Sequence, residues 1–183
     1  GRHLHRWSVA GVLVASCALL LAAGPAGGTN GDTIVTAAGN GVSSSAGDGL
    51  QASEASLNQP RSVFALPGGG FVWAEPWSNR VRKVSADGVV STVAGTGAQG
   101  YGGDGGPAIQ ASLNLPWGMD LASDGSIYIA DTFNFRVRLV TTDGFIRTVA
   151  GNGTNGTTGD NALATSATLD YPKDVVVRTN GSS

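Results

Sequence analysis

Asp48, Asp104 and Asp160 each follow a glycine in a Gly-rich stretch, and they recur at steps of 56 residues. A carboxylate among free loop carbonyls is the beginning of a calcium site, because calcium takes several hard oxygen ligands at once. One aspartate per loop falls short of that ligand number. The three are therefore weak calcium candidates, set against the plainer reading that each fixes a turn through its own backbone. No other cofactor and no other metal is implied.

Other chemistry is thin. The two histidines, His3 and His5, precede the repeated region, so the repeats contain no imidazole to act as a base or to ligate zinc. Cys17 is the only cysteine, which leaves the repeated region without a disulfide or a thiol. The stretch Gly100-Tyr101-Gly102-Gly103-Asp104-Gly105-Gly106 lacks the Lys-Ser/Thr ending of a phosphate loop. Glu75 with Arg80, and Asp131 with Arg136, fall at matching points and are expected to pair across a hairpin. Exposed pairs of that kind are worth at most about 1 kcal/mol, so their expected role is structural. No residue is assigned a catalytic role.

The elements that must position these groups follow from the repeat itself. Thr36-Ala37-Ala38-Gly39-Asn40-Gly41 returns as Thr92-Val93-Ala94-Gly95-Thr96-Gly97 and as Thr148-Val149-Ala150-Gly151-Asn152-Gly153, with both steps 56 residues and no gap. The same offset links Leu57, Leu113 and Leu169, and it links Pro60, Pro116 and Pro172. Within one unit, Trp117 to Ala122, Ile127 to Ala130, Arg136 to Val140 and Ile146 to Ala150 read as strands, with turns at Ser123-Asp124-Gly125 and Asp143-Gly144. The unit before it repeats this at Ser62 to Leu66, Phe71 to Ala74, Arg80 to Val84 and Val89 to Ala94. Four short antiparallel strands per repeat is the pattern of a propeller blade. The expected fold is therefore all-β: a partial β-propeller of about two complete blades with flanking strands, behind an N-terminal signal or anchor helix.

The segments Leu115-Pro116-Trp117-Gly118-Met119-Asp120, Ile127-Tyr128-Ile129-Ala130-Asp131-Thr132 and Asn134-Phe135-Arg136-Val137-Arg138 resemble NHL repeats, which form β-propellers. The tail Thr148 to Gly153 and the linker Gly102 to Ala108 are similar to the exported, long-repeat branch of that family. The resemblance spans nearly all of Ile34 to Val177. The first copy departs from it, with Glu75-Pro76-Trp77-Ser78 where the second has Asp131-Thr132-Phe133-Asn134. Some proteins of this resemblance are amidating lyases and lactonases with metal ions or histidines at the central channel, so the resemblance leaves an enzyme with catalytic residues in further blades as the alternative reading.

Residues 1–28 carry Arg2 and Arg6, then an uncharged run from Trp7 to Ala23, then Gly24-Pro25-Ala26-Gly27-Gly28. That is the order of a secretory signal, and the run is slightly short for a membrane span of about 20 residues. The chain is expected to be exported, with membrane attachment only through an uncleaved segment at residues 7–23. Residues 29–183 form the propeller piece, with copies near 34–59, 60–115 and 116–171 and a further blade starting at 172. The chain is read as part of a longer protein. Asn152-Gly153-Thr154, Asn155-Gly156-Thr157 and Asn180-Gly181-Ser182 fit the glycosylation acceptor pattern.

With 13 acidic against 11 scattered basic residues, the chain has a net charge of −2 and no electrostatic footprint for nucleic acid. In an up-and-down blade, the second-to-third connector and the long blade-to-blade connector leave on one side, and tight turns occupy the other. The long-connector side is the candidate binding face, with Trp77, Asn79, Tyr101, Asp104, Phe133 and Phe135 as its candidate residues. The expected function is an exported recognition or scaffold module for a protein, peptide or glycan. The connector from Gly95 to Pro116 exceeds the usual loop limit of about 12 to 15 residues. Its expected structural role is a short helix after Gly106-Pro107, seated over the blade junction.

Overall fold

The computed structural model describes residues 34–178, together with the backbone of Val14–Ala15 and Ala18–Leu20. Eleven strands carry it: β1 (Val14–Ala15), β2 (Ala18–Leu20), β3 (Thr36–Ala38), β4 (Arg61–Ala65), β5 (Phe71–Glu75), β6 (Arg80–Val84), β7 (Val90–Ala94), β8 (Pro116–Leu121), β9 (Ile127–Asp131), β10 (Arg136–Val140) and β11 (Ile146–Ala150). Two four-stranded sheets, β4-β5-β6-β7 and β8-β9-β10-β11, hold their strands in sequence order. Every neighbouring pair in them is antiparallel. Strand β2 pairs antiparallel with β1 on one side and with β3 on the other. The rest of the expected signal or anchor segment lies outside the described residues. Among the described residues no helix is long and apolar enough to cross a membrane.

Alternation along β5 shows why each sheet is a blade rather than a free layer. Successive side chains of a strand point to opposite faces. Phe71 and Trp73 accordingly enter a cluster with Ala38, Ala52, Ala55, Leu57, Val84 and Val90. Val72 and Ala74 enter the opposite cluster, where Leu113, Met119, Ile127, Ile129 and Ile146 come from the second sheet and its connector. The run Phe71-Val72-Trp73-Ala74 is apolar at every position because both faces of the sheet are buried.

The long connectors complete this packing. Residues Ala108–Gln110 form a 3-10 turn, with Pro107 just ahead of it at the cap. Ala108, Ala111 and Leu113 are fully buried between the two sheets. Further along the same connector, Gly105 N donates to the Ile146 carbonyl at 2.7 Å, and Ile146 N donates to the Gly106 carbonyl at 3.0 Å. The preceding connector does the same to the first sheet, with Gly49 N on the Val90 carbonyl at 2.8 Å and Val90 N on the Leu50 carbonyl at 3.0 Å. An outer strand with free N–H and C=O groups is a template for aggregation. Here the chain entering each blade covers that blade's own outer edge. The recurring Ala-Gly at the end of each unit has a steric cause: at Gly95, with φ +92°, a Cβ would strike the Asn79 carbonyl oxygen, and at Gly151 it would strike that of Phe135.

Candidate functional site

Two recurring arrangements contain most of the residues singled out in the repeats. The first is a buried arginine clamp. Arg82 in β6 donates from Nε and Nη2 to Asp48 Oδ1 at 3.0 and 2.8 Å, and from Nη1 to Glu75 Oε1 at 3.4 Å. It also reaches the carbonyls of Ala46 and Ser56 on the connector, at 3.0 and 2.9 Å. Arg138 in β10 repeats this with Asp104 Oδ1 at 3.1 and 2.6 Å, Asp131 Oδ2 at 3.2 Å and the Gly102 carbonyl at 3.1 Å. Each arginine thus ties a long connector to the sheet that follows it.

This arrangement corrects two expectations. Asp48 and Asp104 turn their carboxylates on the arginines and on β7 and β11, where Thr92 N and Thr148 N donate to them at 3.0 and 3.1 Å. They are structural counter-ions, so their oxygens are already engaged. Asp160, the third of the series, is exposed and lies on no arginine among the described residues. The ion pairs join Glu75 to Arg82 and Asp131 to Arg138, not to Arg80 and Arg136. Arg80 and Glu75 are opposite one another in the ladder, but Arg80 points at the Thr96 carbonyl, 2.8 Å away, over Gly97. Arg136 likewise donates to the Asn152 carbonyl at 2.8 Å. Arg82 and Arg138, the third residues of their strands, are the ones on which the connector aspartates Asp48 and Asp104 close.

Ionisation within the clamp is uneven. Burial pushes the Asp48 carboxyl up, yet hydrogen bonds from Thr92 and Arg82 and the Arg82 charge outweigh it and hold the group below its ordinary value of 3.8. Asp104 follows the same balance, with Thr148, Arg138 and Tyr101 supplying the opposing pull. Asp131 is pushed up, because its deeper burial outweighs the bonds from Asn134 and Asn114 and the Arg138 charge. A depressed carboxylate stabilises the fold above its unfolded pKa and loses that contribution as pH falls through its folded pKa. Asp131 has the opposite sign: its ionisation opposes folding as pH rises through its window. Acid unfolding below pH about 4 is therefore expected to flatten in an Asp48→Asn, Asp104→Asn double variant, measured as urea stability against pH. An unchanged slope would mean that other carboxylates dominate.

The second arrangement is aromatic. Trp77 and Phe133 occupy equivalent 3-10 turns, Pro76–Ser78 and Thr132–Asn134, and their side chains are 54% and 44% exposed. Trp77 meets the ring of Trp117 edge-on at 6.5 Å, and Phe133 meets Tyr171 edge-on at 5.1 Å. Phe135 also meets Tyr171 edge-on at 5.1 Å. Trp117, Thr132, Phe133, Asp170, Tyr171, Pro172 and Lys173 enclose an open cleft of about 780 Å³. Two bulky residues of this group, Phe135 and Tyr171, have left-handed backbones with φ of 52° and 39°. Such conformations are outliers for aromatic residues and collect where the surroundings hold a particular surface in place.

Of the six residues expected on the binding face, the structure brings Trp77, Phe133 and Phe135 to the two aromatic pairs. Asn79 is spent on architecture, accepting from Leu115 N at 2.9 Å. Tyr101 and Asp104 lie apart, at the outer edge beside β11: the Tyr101 hydroxyl donates to Asp104 at 3.0 Å, and the Arg136 guanidinium stacks on its ring at 3.7 Å. Trp117, Tyr171, Lys173 and Arg61 were not among the expected residues. All four flank the recurring prolines Pro60, Pro116 and Pro172, which is the signal that marks them.

Consecutive four-stranded antiparallel sheets, packed face to face through a shared core with their first strands adjacent, define the class: these are blades of a β-propeller. The family model of the Teneurin NHL domain matches residues 96–158, which span the connector and second sheet. Teneurin-4 of Homo sapiens is 35% identical over 72 residues, covering 34% of this chain and 3% of that protein. Teneurin-1 of Gallus gallus is 36% identical over 101 residues, covering 48% of this chain and 4% of that protein. The chain therefore spans only a small part of these relatives. Among solved structures, a protein of unknown function from Bacteroides thetaiotaomicron superposes with a TM-score of 0.60 at 23% identity, covering 78% of this chain and 34% of that one. An auxiliary nutrient binding protein from the same organism gives 0.52 at 20% identity, covering 66% of this chain and 32% of that one. Both likenesses concern the fold.

Proposed function

We propose that the chain is an exported, non-catalytic recognition module that binds a protein, peptide or glycan through the face bearing its long connectors. The observation that carries this reading is the pair of exposed aromatic turns at Trp77 and Phe133, set in equivalent places on neighbouring blades and backed by the Trp117 cleft. Exposed aromatic side chains grouped on one surface are the usual anchors of recognition, each with a large apolar face and little rotamer entropy to lose. The carboxylates Asp48, Glu75, Asp104 and Asp131 are absorbed by the clamps on Arg82 and Arg138, which favours binding over catalysis as the use of this face. The signal-like order of residues 1–28 supports export.

Screening the full chain on printed peptide and glycan arrays tests the proposal. Trp77→Ala and Phe133→Ala are each expected to weaken any captured ligand by more than about 1 kcal/mol. Binding that survives both substitutions, or a chain that captures nothing, would overturn it.

A further inference from the structure

The residue after each recurring proline is unlike its equivalents in the other copies: Arg61, Trp117 and Lys173 stand at one repeat position. Arg61 lies over the Trp117 ring with its guanidinium carbon 4.5 Å from the ring centre. Trp117 and Lys173 line the same cleft, so the three are contiguous. All four ion pairs among the described residues belong to Arg82 and Arg138. Arg61 and Lys173 are thus exposed cations with no carboxylate partner there, on a chain whose net charge is −2. The one acid in the cleft, Asp170, accepts a hydrogen bond from Asn155 at 3.0 Å.

Resting on the recognition reading above, we infer that the cleft takes an acidic oligosaccharide, a chain containing uronic acid. Arg61 and Lys173 hold its carboxylates, and Trp117, Phe133 and Tyr171 cover its ring faces. A guanidinium forks onto a carboxylate, and an ammonium meets it as a point charge. The aromatic walls supply flat apolar area of the size of a sugar ring, and Asp170 is among the few polar groups that can orient a ligand in such a pocket. An acidic peptide would satisfy the cations but would leave the rings uncovered or pay to order flexible side chains. A uronic acid joins carboxylate and ring face in one rigid unit, which lowers the cost of ordering. The second aromatic pair, Trp77 on Trp117, continues the surface onto the neighbouring blade and suits an extended chain of sugars.

Titration calorimetry of the full chain with an oligogalacturonate, a neutral maltooligosaccharide and poly-glutamate decides the matter. Oligogalacturonate alone is expected to bind, with affinity falling as salt rises. An Arg61→Gln, Lys173→Gln double variant is expected to lose about tenfold or more, the worth of one charge-assisted contact. Lys173→Arg is expected to retain binding. Equal binding of the neutral sugar, or poly-glutamate binding as well as the uronate, overturns the inference, as does a double variant that binds like the parent. Capture of a different ligand through Trp77 and Phe133, with no uronate binding, overturns this inference and leaves the recognition reading intact.

Discussion

Replacing Arg138 by Met is expected to destabilise the protein by about 3–5 kcal/mol, the range seen when one partner of a buried pair is removed. The side chain is fully buried, and so is that of Asp131, its partner across the hairpin. Methionine fills much of the volume but leaves the Asp131 carboxylate in the interior without its counter-charge, and it frees the connector carbonyl at Gly102 and the Asp104 carboxylate. The lost contacts tie the Gly95 to Pro116 connector to the second sheet, so the damage extends to the outer edge of β11. Urea unfolding followed by tryptophan fluorescence measures the loss. An Arg138→Met, Asp131→Asn variant is expected to recover part of it, because the carboxylate is then no longer stranded. A loss below about 1 kcal/mol in the single variant would show that the clamp is dispensable.

Arg82→Met is expected to act in the same way on the first blade, but with a difference of kind. Glu75 stands there in place of the aspartate, and its Oε2 is buried with no hydrogen-bond partner, whereas both oxygens of Asp131 are used. Arg82→Met leaves that acceptor in place and strips the counter-charge from Oε1, so that the Trp73 indole is the carboxylate's one remaining side-chain donor.

The repeat made the strands legible. A spacing that carries Gly, Leu, Pro and Arg without a gap also carries the backbone, and the eight strands of the two complete blades lie where alternation and turns put them. The structural role of the connector was legible too, because Ala108, Ala111 and Leu113 recur as apolar positions next to Gly106-Pro107. Pairing among charges was not. Sequence proximity made Arg80 and Arg136 the natural partners of Glu75 and Asp131, but Arg82 and Arg138, two residues on and on the same strand face, are the ones on which the connector aspartates close. The connector's return path fixed the use of Asp48 and Asp104, 34 residues ahead of their arginines. The cleft was hidden for a similar reason, since Trp117, Phe133 and Tyr171 meet only once two consecutive blades are stacked.

The first blade offers a test of whether its departures from the repeat form a compensated unit. Trp73 is fully buried and donates from its indole N–H to Glu75 Oε1 at 2.9 Å. At the matching places in the second blade stand Ile129 and Asp131, a pair with no hydrogen bond between side chains to make. Trp73→Ile alone is expected to cost about 3 kcal/mol or more, since it empties part of a close-packed cluster and strips a donor from a buried carboxylate. Glu75→Asp alone shortens the carboxyl away from the indole and strands the N–H of Trp73. Making both changes installs the second blade's solution in the first, and the double variant is expected to be more stable than the sum of the single losses by about 0.5–3 kcal/mol. Chemical denaturation of the four proteins in the cycle gives that coupling directly. Strict additivity would mean that the longer carboxylate and the indole entered the first blade independently, and that the hydrogen bond between them contributes nothing to holding its clamp.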